Sequence, residues 1–233
     1  MTLSGDWGTL KFNGSGSSSA LGAVDDVTPN AYEEVWDTTT GADERIDGRS
    51  GNNLLTYNSP SFNGVMFKVG HQQADTSTAT DNSLDVGSYT DFGIQITPEM
   101  VEGLSIGYAQ ATLDDTATTE IDHENLWVKY AVGGFTFGYQ TIEADGSTAD
   151  KNDESTSWGI SYAVNDDITI SYNESSYDDG TQTTDQENSA FGISYTMGSI
   201  KVTGILASMD NVGGSTATID DVTGYEIGMS FTF

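Results

Sequence analysis

The chain of 233 residues carries 36 acidic against 7 basic residues, a formal net charge of -29 that repels nucleic acid and anionic head groups and draws cations. It has no Cys, which removes disulfides and thiolate metal sites, and no apolar run near the roughly 18 residues that a membrane helix needs. A mean hydropathy of -0.36 reads as soluble in every class except the β-barrel, where only alternate residues of a strand meet lipid.

Taken in chain order, period-two alternation predicts about twelve strands, most near ten residues long. They lie near residues 3–13, 52–58, 63–73, 89–97, 102–113, 119–131, 134–145, 154–163, 167–178, 185–196, 199–210 and 221–233. The opening "MTLSGDWGTL" lacks the basic region and apolar core of a targeting segment. No stretch has a sustained helical period, although "NAYEEVWD", Asn30 to Asp37, is expected as a short helix. The connections alternate between short ones (59–62, 97–101, 132–134, 164–167, 197–199) and long ones (14–51, 74–88, 113–119, 145–154, 177–185, 209–220). That alternation puts the short turns on one rim and the long loops on the other, the asymmetry of an outer-membrane barrel.

One strand face reads Val65, Phe67, Val69, then Phe92, Ile94, Ile96, then Phe135, Phe137, Tyr139, and so on to Phe191, Ile193, Tyr195, while the other carries Gly, Ser, Thr, Gln, Asn and Lys. A soluble barrel or sandwich would turn the same oily face inward, and alternation by itself permits that. Two features favour lipid outside and water inside. Tyr recurs near the ends of the apolar faces, as in an aromatic girdle, and Lys11, Lys68, Lys129 and Lys201 fall on the polar faces. The last strand, "GYEIGMSFTF", alternates up to Phe233 with no polar tail.

At "GDWGTLKFNG", followed by a long segment and then "RSGNNLLTYNSPSFNGVMFKVGH", the chain resembles the general porins of Gram-negative outer membranes, of the alphaproteobacterial type. Gly5 to Phe12 fits the strand that precedes the pore-folded third loop of that family, and Asn53 to Gly64 fits the strand that follows it. The terminal Phe233 resembles the aromatic end read as an assembly signal. The resemblance implies an all-β, antiparallel transmembrane barrel of one domain over 1–233, with residues 14–51 as a pore-constricting loop. It further implies an outer-membrane homotrimer in contact with lipid that passes small hydrophilic solutes and ions. In the barrels of that family, of about sixteen strands, the strand before the third loop is the fifth, so the resemblance implies that four strands precede this one. The expectation is therefore a fragment holding strands five to sixteen, with a complete twelve-stranded relative as the alternative.

The segment 14–51 carries Asp25, Asp26, Glu33, Glu34, Asp37, Asp43, Glu44 and Asp47 against Arg45 and Arg49, eight carboxylates against two arginines, or net -6. Folded into the lumen it concentrates a cation-favouring field at the constriction, with Lys11 and Lys68 on neighbouring walls opposing it. Otherwise it is a solvated acidic loop. A structural calcium ion is the one cofactor the sequence proposes, at Asp150, Asn152 and Asp153 in "DKNDE", with Asp178 and Asp179 as further oxygen ligands. That run departs from an EF-hand at Glu154 and Ser155. His71 and His123, the only histidines, lie in no nucleophile or zinc motif, so no enzyme is expected. The alternatives are a twelve-stranded phospholipase-like enzyme of the outer membrane and a non-conducting structural or adhesin barrel.

Overall fold

The computed structural model describes residues 1–13, 18–35, 48–49, 53–74, 87–116, 119–146, 152–214 and 221–232. Thirteen strands follow one another: β1 (Thr2–Gly5), β2 (Gly8–Asn13), β3 (Leu54–Asn58), β4 (Val65–Gln72), β5 (Tyr89–Ile96), β6 (Leu104–Thr116), β7 (Thr119–Val132), β8 (Phe135–Gly146), β9 (Asp153–Ala163), β10 (Ile168–Asp179), β11 (Gln186–Met197), β12 (Ile200–Asp210) and β13 (Val222–Phe231). Each pairs antiparallel with the next, so sheet order is sequence order. Among the described residues no ladder joins β13 to β1.

The thirteenth strand comes from residues 3–13, which alternation read as one strand and which fold as a hairpin with Gly5 opposite Gly8. The reason is parity. Leu3 sits at an odd position and Leu10 and Phe12 at even ones, so a single strand would split them between its faces, whereas the hairpin sets Leu3 opposite Leu10 on one face. Gly8 takes a φ of 115° at the end of this turn, where a Cβ would also meet the Asn58 carbonyl oxygen at 2.3 Å. The Tyr57 hydroxyl donates to the Trp7 carbonyl at 2.6 Å, and the two rings stack, fastening the hairpin to β3.

Two further expectations are corrected. Residues 113–119 form no long loop, because β6 continues to Thr116 and β7 resumes at Thr119 across a register shift between Asp114 and Thr116. Residues 30–35 are not helical, and a single 3-10 turn at Leu21–Ala23 stands earlier in the segment instead. The i, i+4 spacing of Ala31 and Val35 gives way to hydrogen bonds with the sheet. Positions 36 and 37 of the expected helix lie outside the described residues.

Alternation sorts the strands as expected. Leu126, Phe137, Phe191, Ile193 and Leu206 are exposed on the outer face, and on β13 Ile227 remains 74% exposed and Met229 61% exposed. So large a continuous apolar surface matches a lipid environment. Rings border it on both sides. Phe135 stacks on Tyr162 with centroids 4.2 Å apart near the short turns, and toward the long loops Trp158 Nε1 and the Tyr172 hydroxyl both donate to Glu174, at 3.0 and 2.6 Å. Beyond that upper border the outer face turns acidic, with Glu124 opposite Glu143 and Asp122 opposite Asp145.

The buried apolar clusters lie on the inner face. One joins Leu21 to Ala109, Leu113, Ile121 and Ile142, and the other joins Val35 to Ala190, Ile205, Ala207 and Met209. Both form where residues 18–35 meet the sheet. If the facing is right, Phe191→Lys lowers refolding stability by about 2–4 kcal/mol, the cost of a lysine at mid-bilayer depth. Ser161→Lys on the inner face costs no more than about 0.5 kcal/mol. Urea-dependent refolding into lipid vesicles measures both, and equal costs would contradict the assignment of the two faces.

Candidate functional site: a loop laid across the inner wall

Residues 18–35 cross the inner face from β5 to β13. Leu21, Val27, Ala31 and Val35 bury themselves against the wall, which takes this backbone away from water and obliges its polar groups to find partners there. The wall supplies them. Leu21 N–H donates to Asp91 Oδ2 on β5 at 2.9 Å. Asn125 Nδ2 on β7 and Gln140 Nε2 on β8 both donate to the Val24 carbonyl, at 2.8 and 2.6 Å, while Gln140 Oε1 accepts Val27 N–H at 3.2 Å. Asn173 Nδ2 on β10 donates to the Pro29 carbonyl at 2.9 Å, and Ser171 Oγ on the same strand accepts Ala31 N–H at 2.9 Å. The Tyr32 hydroxyl donates to Glu226 on β13.

Close approach needs missing side chains as well as present ones. Gly138 and Gly159 stand opposite each other in the β8–β9 ladder. A Cβ on Gly138 would come within 2.6 Å of Pro29 Cδ, and one on Gly159 would meet Asn173 Nδ2 at 2.1 Å and the Pro29 carbonyl at 3.1 Å. The pair is a notch that seats Pro29. Gly93, Gly192 and Gly228 line the same path beneath Ala20, Ala31 and Tyr32.

At the root of the loop its two limbs are clasped. Ser19 N–H donates to the Arg49 carbonyl at 2.7 Å, and Ser19 Oγ accepts Arg49 N–H at 3.1 Å and Gly22 N–H at 3.2 Å. The Tyr89 hydroxyl lies 3.2 Å from Ser19 Oγ and donates to Asp91 Oδ2 at 3.0 Å, with the Arg49 guanidinium over its ring. Asp91 is only 2% exposed, so one buried carboxylate ties β5 to the loop.

Of the charged residues singled out in the sequence, Asp25, Asp26, Glu33 and Glu34 lie on this crossing segment, none of them buried. Asp25 Oδ2 accepts Gly48 N–H at 3.1 Å, and Glu34 Oε1 accepts Asn30 Nδ2 at 2.8 Å. Burial first, then the neighbouring Glu34 and Glu226 carboxylates, raise the Glu33 pKa above the ordinary carboxylate range. The hydrogen bond to Glu226, then burial, raises that of the Tyr32 hydroxyl. Lys11 on β2 and Lys68 on β4 share the inner face, since Lys11 pairs with inward Thr56 and Lys68 with inward Asn58. Arg49 belongs to the root clasp. Asp37, Arg45, Asp43, Glu44, Asp47, Phe233 and Asp150 lie outside the described residues.

In the run proposed for calcium, Asn152 Oδ1 accepts Gly146 N–H at 2.9 Å, and Asp153 opens β9 opposite Asp179. No group of three potential ligands is assembled among the described residues. His71 Nδ1 lies 2.9 Å from Thr90 Oγ1 on the outer face, whereas His123 is on the inner one, so the two histidines do not meet.

Sequence reading missed Asp91, Asn125, Gln140, Ser171, Asn173 and Glu226, the wall's half of the site. Their signal is faint: inward positions bearing amides or acids near inward glycines. Because Gln140 serves two loop groups, Gln140→Leu leaves Val27 N–H unpaired and costs about 1–3 kcal/mol of local stability. The expected outcome is faster proteolysis within residues 18–35 and a noisier single-channel current, with the sheet's circular dichroism unchanged.

A sequence model described as Gram-negative porin matches residues 1–214. No curated protein matches the chain. Among solved structures, the anion-selective porin from Comamonas acidovorans superposes with a TM-score of 0.75 at 18% identity, over 100% of this chain and 76% of that one. OmpF of Salmonella typhi, in complex with daunomycin, gives 0.75 at 11% identity over 97% and 74%. A trimer form of OmpT from Vibrio cholerae gives 0.65 at 12% identity over 99% and 78%. At such identities these likenesses bear on the fold alone. The family match runs through the whole loop-bearing part of the sheet: this chain belongs to the Gram-negative porin family, and its sheet is the wall of an outer-membrane channel.

Proposed function

We propose that the channel admits small hydrophilic solutes by passive diffusion and prefers cations. The observation that carries the reading is the course of residues 18–35, which sets Asp25, Asp26, Glu33 and Glu34 over the inner wall instead of leaving them on an outer loop. Low-dielectric walls concentrate the field of those carboxylates on a passing ion. Charges on the outer rim act over a Debye length of only about 8 Å near physiological salt, and confined ones are screened less. Lys11, Lys68 and Arg49 lie on the side of β2 to β5, near Asp25, whereas Glu33 lies toward Glu226 on β13, which gives the field a component across the channel.

A homotrimer is the proposed assembly of the complete protein. It is supported by the trimer form among the fold's relatives and by the apolar outer face of β13, where Tyr225 is 79% exposed. Mass measurement of the full-length protein in mild detergent tests this, and a monomer alone would count against it.

Reversal potential across a planar bilayer under a salt gradient tests selectivity. The native channel is expected to favour potassium over chloride, and Glu33→Gln with Glu34→Gln to reduce the ratio severalfold. A parent that favours chloride, or a variant with the parent's ratio, would overturn the assignment. The pH dependence has a definite sign. The raised pKa of Glu33 means that it takes up a proton at a higher pH than an ordinary carboxylate, so cation preference begins to fall before bulk carboxylates titrate near pH 4. In the double variant that early portion of the fall is absent.

A further inference from the structure

Between the 3-10 turn of the loop and the short-turn end of the wall lies a cavity of about 310 Å³. Ala23 and Val24 roof it, and Met66, Lys68, Gln95 and Trp127 form its sides. The volume is at the small end of the range for small-molecule sites, roughly 300–1,000 Å³. The indole of Trp127 lies across Gly107, where a Cβ would come within 2.4 Å of the ring. This brings a flat apolar surface toward Gln95, the residue opposite Gly107 on β5.

Lys68 is the one charged residue of the lining. It is half-buried, and its ammonium has no hydrogen-bond or ion-pair partner among the described residues. Asp91, Lys11 and Asp25 are its charged neighbours at longer range. Asp91 Oδ2 is engaged by Leu21 and Tyr89 and Asp25 Oδ2 by Gly48, while Asp91 Oδ1, buried without a hydrogen-bond partner among the described residues, does not come within ion-pair reach of the ammonium. A partly desolvated ammonium without a direct partner gains from an anionic ligand.

We propose that this cavity is a retention site for small amphipathic carboxylates, solutes with a single carboxylate on a flat or branched apolar body. The carboxylate meets Lys68 Nζ, Gln95 offers a further donor, and the body rests on Trp127 and Met66 beneath Val24. A phosphate would leave most of its charge unmatched by one lysine, a zwitterion would need an acid that the lining lacks, and a neutral apolar solute would leave Lys68 unpaired. The site rests on the reading of the chain as a diffusion channel and deepens it: a pore whose acidic segment repels simple anions holds, behind that segment, an anchor for anions with an apolar body.

The test uses full-length protein in planar bilayers in KCl, with benzoate as the probe and acetate and benzyl alcohol as its charged and apolar halves. Benzoate is expected to reduce the ion current along a saturating curve, and each half alone to do so much less. Lys68→Gln raises the half-blocking benzoate concentration about tenfold or more, the weight of one charge-assisted hydrogen bond. Lys129→Gln, a lysine elsewhere on the inner wall, leaves that concentration unchanged. Ala23→Trp fills the cavity from its roof with Lys68 intact and abolishes the block, which decides the matter if Lys68→Gln does not fold. An unchanged half-blocking concentration in Lys68→Gln or Ala23→Trp, or a benzoate effect that does not saturate, overturns the site while the channel stands. Absence of any KCl current overturns the channel reading and the site with it.

Discussion

A peptide backbone laid inside a barrel has lost much of its water and must be satisfied by the wall, and that constraint shapes most of this molecule. The crossing segment has neither helix nor strand of its own to absorb its N–H and C=O groups beyond one 3-10 turn. The sheet therefore gives up inward positions to it: an acid on β5, amides on β7, β8 and β10, a hydroxyl on β10 and an acid on β13. Asn125 is fully buried, a costly place for an amide unless each polar atom is engaged. Its Nδ2 holds the Val24 carbonyl and its Oδ1 accepts from Gln140 Nε2 at 3.3 Å, so wall and loop form one network.

The two faces of the sheet answer to different solvents. Outside, the requirement is only that side chains be apolar through the lipid band and amphipathic at its borders, which many residues satisfy, so that face is rich in interchangeable Leu, Ile, Phe and Tyr. Inside, the positions beneath residues 18–35 depend on what the loop brings to them, whether methyl, carbonyl or N–H. This is why glycine, serine, glutamine and isoleucine follow one another there without a simple pattern.

The same difference decides what could be read from the sequence. Strand boundaries such as 185–196 or 199–210 fall within a residue or two of the observed Gln186–Met197 and Ile200–Asp210, because alternation against lipid is a local signal that each strand carries by itself. The hairpin at residues 2–13 escaped because its turn, Asp6 and Trp7, is bracketed by glycines that look like polar-face residues of one strand, and only the switch in parity between Leu3 and Leu10 betrays it. The course of residues 18–35 over the inner face was legible only through the resemblance. Its partners were not legible at all, since Val24 and Gln140, or Ala31 and Ser171, are 116 and 140 residues apart and leave no local trace. The short helix expected from residue 30 is absent over the described residues 30–35 for a related reason: once Ser171 and Asn173 take the backbone groups around Pro29 and Ala31, helical spacing no longer decides.

The bond between Tyr32 and Glu226 spans 194 residues of chain. A contact of such separation carries the loop-closure cost of the chain between its ends. The near end of the loop finds Asp91 as soon as β5 exists, but the far end has no partner until β13 is laid down. Seating of the far end of the segment on the wall thereby waits for β13, the last of the described strands. A sheet without β13 would hold the segment as far as Ser171 on β10 and leave Tyr32 without Glu226, so the contact at the far end of the loop is the one that depends on the most chain.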